Sequence, residues 1–267
     1  MVRYELMGVV NVTPDSFSDG GSFEDAAQAV AHARRLVAEG AAIVDVGGES
    51  TRPGADPVPA EEELRRVLPV VEGVAALGLR ARISIDTMKL AVAEAAVDAG
   101  ATYVNDVTAF RHEPELAGLV ADRGLDCCLM HMRGEPRTMQ VDPRYDDVVD
   151  DVKAFLEERL RFAVEAGIAD ERICLDPGIG FGKTVEHNFE LVRRLDELVA
   201  LGRPVVVGFS RKSSLGRVLG DPEAKTGPLS ASIAAGVAAF ERGATILRVH
   251  DVKEHVEALT AAKAVVG

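Results

Sequence analysis

The chain has 267 residues, 47% hydrophobic and 27% charged, with a formal net charge of −13. That composition supplies a large core and excludes bulk disorder. The acidic balance argues against nucleic-acid or anionic-membrane partners, which call for basic patches, but leaves room for an anionic small molecule met by a few local cations.

In chain order, a strand is predicted over residues 7–11, followed by a long loop and a helix over 24–39 that stops at Gly40. A short β-branched run, 43–47, then leads into a second glycine-containing loop and a helix over 61–76. The alternation continues with strands at 83–86, 102–106, 127–131, 173–176, 205–208 and 245–250. Helices at 90–99, 113–123, 146–166, 185–200, 230–242 and 253–266 separate and follow them. Glycine after a last helical turn is a left-handed helix stop, and an apolar run too short for a helix reads as a strand buried on both faces. Eight βα units of about 33 residues predict an α/β fold, a (β/α)8 TIM barrel of eight parallel strands with outer helices. An open doubly wound sheet is the alternative. No linker divides the chain, so residues 1–267 are read as a single domain.

Cys127, Cys128 and Cys174 lie in apolar runs and read as buried small hydrophobes rather than as a disulfide framework or zinc site. No run of about 18 apolar residues exists to span a membrane, and the N-terminus lacks the apolar stretch of a signal peptide. A cytoplasmic protein is expected.

In a (β/α)8 barrel the site lies at the C-terminal strand ends, and here those ends are polar. They carry Asn11, Asp86, Asn105-Asp106, His131, Asp176 and Arg248-Val249-His250, with Ser210-Arg211-Lys212-Ser213 after the seventh strand. One strand-end Asp is readable as a cap for the next helix, whereas eight convergent polar ends, counting Glu49-Ser50-Thr51-Arg52 after the second strand, point to a site. Asp86, Asn105 and Asp176 suit the N–H-rich edge of a flat heterocycle such as a 2-amino-4-oxo-pterin. Arg52, Arg211, Lys212, Arg248 and His250 offer cations for phosphate or carboxylate. Arg211 is equally readable as a structural ion pair, and His131 as a satisfied barrel-mouth residue. The run Gly180-Phe181-Gly182-Lys183-Thr184 imitates a phosphate-binding P-loop, but Pro177 stands where that motif needs its first glycine.

Two segments, Asn11-Val12-Thr13-Pro14-Asp15-Ser16-Phe17-Ser18-Asp19-Gly20-Gly21 and Gly48-Glu49-Ser50-Thr51-Arg52-Pro53-Gly54, resemble the signature loops of the dihydropteroate synthase family. The resemblance extends in order through Ser84–Thr87, Asn105-Asp106, Leu129–Met132, Leu175–Lys183, Ser210–Ser213 and Arg248–Val252, essentially the whole chain. It implies a transferase of folate biosynthesis. The enzyme would join 6-hydroxymethyl-7,8-dihydropterin pyrophosphate to 4-aminobenzoate, giving 7,8-dihydropteroate and pyrophosphate, with Mg²⁺ assisting, as a homodimer inhibited by sulfonamides.

The resemblance further implies that Asp86, Asn105, Asp176 and Lys212 bind pterin. Asn11, Arg248 and His250 would bind pyrophosphate, Asn11 with the metal. Phe17, Thr51, Arg52, Pro53, Phe181, Lys212 and Ser213 would surround 4-aminobenzoate, with Lys212, Asp86, Arg248 and His250 as the catalytic set. Two alternatives are a non-catalytic pterin-binding paralogue and a methyltetrahydrofolate-dependent methyltransferase. The latter would share Asp86, Asn105 and Asp176 but has no need of the two signature loops.

Overall fold

Strands buried on both faces must be walled by helices outside and side chains inside, and this chain meets both requirements. A computed structural model describes residues 4–13, 23–51 and 54–266. The strands are β1 Glu5–Asn11, β2 Ile43–Gly47, β3 Arg82–Asp86, β4 Tyr103–Asp106, β5 Asp126–Met130, β6 Ile173–Asp176, β7 Val206–Val207 and β8 Ile246–Val249. All pairings are parallel, in the order β6-β5-β4-β3-β2-β1-β8-β7. One parallel bridge, Leu175 to Val205, joins the two remaining edges and closes the barrel.

The helices are α1 Phe23–Glu39, α2 Ala60–Ala76, α3 Leu90–Asp98, α4 Leu116–Arg123, α5 Val148–Glu165, α6 Val185–Arg193, α7 Leu195–Val199, α8 Ser213–Val218, α9 Leu229–Glu241 and α10 Val252–Val266. Two differ from the pattern expected of the sequence. The single helix over 185–200 breaks at Arg194, whose φ of −108° and ψ of 31° leave the helical region. The break lets Leu195 and Leu198 turn into the core. The short α8 falls where a loop was expected, because Ser-Ser-Leu-Gly-Arg-Val carries little helical periodicity.

Alternation along each strand sends two sets of side chains in opposite directions. Leu6, Val10, Val44, Val46, Ile83, Ile85, Val104 and Leu129 join the outer core under the helices. Met7, Ile43, Tyr103, Cys128, Cys174, Val206 and Ile246 form a separate packed layer inside the barrel. The three cysteines are buried and unpaired, as expected. Below that layer Arg82 bridges Glu5 and Asp126, and above it the interior turns polar. The apolar layer is therefore the floor of a polar cup whose rim is the eight strand ends.

Candidate active site

The cup is built around Asp45, from the middle of β2 and fully buried. Its carboxylate accepts from Ser84 Oγ at 2.5 Å and from Asn105 Nδ2 at 3.1 Å. It also accepts from Arg248 Nε at 2.7 Å, while Arg248 Nη2 donates to Asp86 Oδ2 at 2.8 Å. One guanidinium therefore serves two carboxylates. Burial works against the charged guanidinium, yet Asp45 and Asp86 push the Arg248 pKa up. Asp86 has the opposite problem. Burial, and next the neighbouring Asp45 carboxylate, push it up to about 7 despite Arg248. Asp86 thus sits at the balance point between hydrogen-bond acceptor and donor near neutral pH.

Asp176, at the end of β6, faces the same space. Its Oδ1 accepts from Gly178 N at 2.7 Å. Burial lifts it to about 6, against the pull of that N–H and of Lys212, Arg248 and Lys183. Asn105 points inward to Asp45, whereas its neighbour Asp106 points away. Asp106 accepts from Thr108 N, Thr108 Oγ1 and Phe110 N at 2.7–2.8 Å. It is a turn-maker beneath the left-handed Ala109 and Phe110.

A second wall comes from the loops after β6 and β7. Lys212 Nζ lies 4.3 Å from the centroid of the Phe181 ring, a cation–π contact. The Phe181 loop is tied down on three sides. Gly180 N donates to Asn188 Oδ1 at 2.7 Å, Gln140 Nε2 donates to Gly180 O at 2.6 Å, and Tyr145 OH donates to Gly182 O at 2.7 Å. Gly178 has φ +69°, and a Cβ there would fall 1.9 Å from His131 O. No other residue allows that approach. Ser213 is half-buried at the start of α8, directly after Lys212 at the cap position. Met130 packs with Val107, Met132, Met139 and Phe181, a thioether floor beside this wall.

The loop after β2 is anchored at its root. Lys89 is held between Glu49 and the fully buried Glu63. Glu49 also accepts from Val58 N at 3.2 Å, and Arg66 donates to Gly48 O at 2.9 Å. Further out, Gly54 N donates to Pro136 O at 3.1 Å, so the loop leans over the mouth toward the loop after β5. Thr51 is half-buried in it. Asn11 ends β1 opposite Gly47, half-buried at the rim. Phe17, Arg52 and Pro53 lie outside the described residues.

His250 departs from its expected part as a resting cation. Burial, then Arg248 and Arg211, push it down to about 3, so it meets the mouth as a neutral imidazole. Its Nδ1 lies 3.0 Å from Ser210 Oγ. Arg211 makes a two-pronged ion pair with Asp251 at 2.6 and 3.1 Å, the structural role open to it from sequence. The structure therefore gathers Asp86, Asn105, Asp176, Arg248, Lys212 and Phe181 at one barrel mouth.

Sequence reasoning passed over Asp45, Ser84 and Lys183. The signal for Asp45 was present: a carboxylate midway through Ile-Val-Asp-Val must face inward if its neighbours face the helices.

The pterin-binding enzyme family matches residues 7–250 of the chain. The dihydropteroate synthase of Escherichia coli K12 is 48% identical over 262 residues, covering 97% of this chain and 90% of that protein. The structure of Xanthomonas albilineans dihydropteroate synthase with 4-aminobenzoic acid superposes with a TM-score of 0.90 at 49% identity, covering 99% of this chain and 94% of that one. The Yersinia pestis dihydropteroate synthase in complex with a sulfonamide drug also gives a TM-score of 0.90, at 45% identity, over 98% and 94% of the respective chains.

Proposed function

The chain belongs to the dihydropteroate synthases of the pterin-binding enzyme family, and we propose how its own residues carry that condensation. The observation that carries the reading is the buried cup in which Asp45 and Arg248 hold Asn105 and Asp86 facing Asp176. Acceptors on opposite walls match the amine and ring N–H groups of a pterin, and each group left unmatched in such a site would cost about 1–3 kcal/mol. Alternatives without condensation chemistry are not favoured, since the relatives across nearly the full length are synthases.

In the reaction the bond from the pterin methylene to the pyrophosphate oxygen breaks, and its electron pair leaves with pyrophosphate. The positive charge left on the methylene spreads into the electron-rich pterin, and the carboxylates of Asp86 and Asp176 beside the ring favour it electrostatically. The amine nitrogen of 4-aminobenzoate then forms the new C–N bond and gives up a proton. His250 and Arg248 receive the departing pyrophosphate. The neutral imidazole gains a proton as the phosphate charge arrives, because an adjacent anion raises its pKa. Lys212, stacked on Phe181, offers a cation to the aminobenzoate carboxylate or the pterin edge, with Ser213 and Thr51 nearby in sequence to the same loops. Phe17, Arg52 and Pro53 complete this wall in the proposed assignment.

Mg²⁺ fits the donor chemistry only as a metal shared with the substrate. Among the described residues no group of three or more His, Cys, Asp or Glu could hold one. Asn11 supplies a hard amide oxygen at the rim, and Mg²⁺ is commonly held by few protein oxygens plus substrate phosphates. When bound it neutralises charge on the leaving pyrophosphate.

A sulfonamide, which shares the aminobenzoate's aryl amine, would occupy the Phe181–Lys212 wall. A homodimer is proposed as well. Val218 and Leu219 at the end of α8 and Leu229 at the start of α9 are exposed apolar side chains, and a second copy is proposed to cover them. No helix among the described residues is long and apolar enough to cross a membrane, and a cytoplasmic setting is proposed.

The test is pyrophosphate release from the pterin pyrophosphate with and without 4-aminobenzoate. Release should depend on aminobenzoate and fall by about a hundredfold or more in Lys212→Ala and Asp86→Ala. Release untouched by both substitutions would overturn the assignment.

A further inference from the structure

The lysine of the P-loop-like run has no part in the scheme above. Its neighbourhood gives it one. Lys183 is 2% exposed, and its Nζ lies 2.9 Å from His131 Nδ1, 3.0 Å from Phe181 O and 3.4 Å from His131 O. It therefore points away from solvent phosphate and into the seam between the end of β5 and the loop after β6.

We propose that Lys183 is a positioning residue of the condensation. Seated among His131, Phe181 and Asp176, it fixes the Phe181 wall and keeps the Asp176 carboxylate ionised for the pterin. The inference rests on the function proposed above.

Three observations support it. First, the contacts join the two loops that must agree. His131 N donates to Asp176 O at 3.0 Å, and Gly178 packs so tightly on His131 O that the turn leading to Phe181 has no freedom to drift. Lys183 closes this ring by bonding both His131 and Phe181 O.

Second, Lys183 donates its hydrogen bonds to neutral groups. Burial pushes His131 down to about 2, with the neighbouring cations Lys183, Arg111 and Arg133 adding to the effect. It therefore accepts from Lys183 through Nδ1 and cannot share the positive charge. The carboxylate acting on Lys183 is Asp176, whose pull runs against burial and against Lys212, which bring Lys183 down to about 7.

Third, the field at Asp176 has identifiable sources on each element packed around it. Lys212 lies on the loop after β7, Arg248 on β8, Lys183 and the Gly178 N–H on its own loop, and the un-ionised Cys128 on β5. Arg248 is shared with Asp45 and Asp86, and Lys212 is engaged with the Phe181 ring. Lys183 is 2% exposed, and the carboxylate acting on it is Asp176. Burial works against both charges, and each of the two groups favours the charged form of the other.

The test compares Lys183→Met and Lys183→Gln with the unaltered protein. The readouts are the pH profile of kcat/KM for the pterin pyrophosphate, the KM for 4-aminobenzoate, and thermal unfolding. Both variants remove the charge, so the lower acid inflection of the pterin profile, that of Asp176 rather than of Asp86, should move up by a fraction of a pH unit, less than removal of Lys212 would move it. Gln retains a donor near Phe181 O. The aminobenzoate KM should therefore rise by about tenfold in Lys183→Met and less in Lys183→Gln, with kcat at the plateau within about threefold.

A lysine that serves stability alone would lower the melting temperature and leave the limb in place. That result in either folded variant overturns the proposal. Should Lys183→Met not fold, Lys183→Gln carries the same reading. Equilibrium binding of the pterin substrate across the same pH range reports the limb without turnover. Absence of condensation in the unaltered protein would thus defeat the proposed function, while the binding limb still judges the lysine.

Discussion

Removing the Asp45 side chain, itself fully buried, should dismantle the cup from below. Asp45→Ala strands Ser84 Oγ and Asn105 Nδ2, both buried donors now bonded to it at 2.5 and 3.1 Å. Each buried donor left without a partner costs about 1–3 kcal/mol. Arg248 keeps Asp86 and has partial access to water, so its loss adds less. The expected destabilisation is about 3–4 kcal/mol, a large share of a typical domain's stability.

Asp45→Asn is the informative partner. Its amide oxygen can still accept from Arg248 and Asn105 while its NH₂ turns to Ser84, whose hydroxyl can accept as well as donate. The loss should then fall to about 1 kcal/mol, the difference between a charge-assisted and a neutral hydrogen bond. With position 45 neutral, Asp86 loses its anionic neighbour and is the carboxylate left to Arg248, so its pKa falls from about 7. Urea unfolding gives the stability, and the pH profile of kcat/KM for the pterin substrate gives the Asp86 shift. Two variants within about 0.5 kcal/mol of each other, with the acid limb unmoved, would refute the view that Asp45 holds the cup by hydrogen bonding and sets the charge on Asp86.

Gly178→Ala should lose most activity and at least about 3 kcal/mol of stability, measured by urea unfolding, because a positive φ and a backbone clash coincide there. Glu49→Gln removes a carboxylate from the Lys89 anchor and should raise the KM for 4-aminobenzoate while leaving pterin affinity within about twofold. Asp176 has a folded pKa of about 6 against an ordinary 3.8, so the folded state holds a proton that the unfolded chain releases. Its contribution to stability is complete below 3.8 and lost as pH rises through about 6. The stability difference between the unaltered protein and Asp176→Asn should therefore shift by about 1–3 kcal/mol in favour of the unaltered protein between pH 7 and 4, read from urea midpoints. Sulfonamide inhibition should be competitive with 4-aminobenzoate, and substitution of Phe181 by Ala should weaken both ligands together by steady-state kinetics.

The barrel was legible because its strands are short, apolar on both faces and closed by a polar residue, a pattern that few other architectures produce. The polar ends Asp86, Asn105, Asp176 and Arg248 were legible for the same reason. Asn105 was assigned to the site in sequence and Asp106 was not. Their side chains do part company, Asn105 reaching Asp45 while Asp106 turns to Thr108 and Phe110. Asp45 and Arg248 are 203 positions apart, and no local pattern can pair them. Lys183 was hidden differently: its motif suggested an outward phosphate ligand, whereas burial and His131 turned it inward. The neutral state of His250 is a property of its surroundings rather than of its type. Helix α8 was missed because six residues containing a glycine give the 3.6-residue period too little length to register.

The barrel is sealed unevenly. Between β1 and β2 five residue pairs lie in register, whereas β6 and β7 meet through a single bridge. Of the residues proposed to grip the pterin, Asp86 and Asn105 stand on the well-laced side and Asp176 and Lys212 beside the thin seam, where Phe181 and Ser213 also hang from loops. The aryl amine is thus received at the thin seam, and the pterin is held from both sides. A change in the aryl amine can be absorbed by small adjustments along the seam, leaving the cup around Asp45 as it was. A change in the pterin would also have to be accommodated by the well-laced strands, which have no slack to give. Variation in this scaffold should therefore be asymmetric. Tolerance of new aryl amines, and escape from inhibitors that imitate them, belongs to one edge of the molecule, and fidelity to the bicyclic ring rests on both.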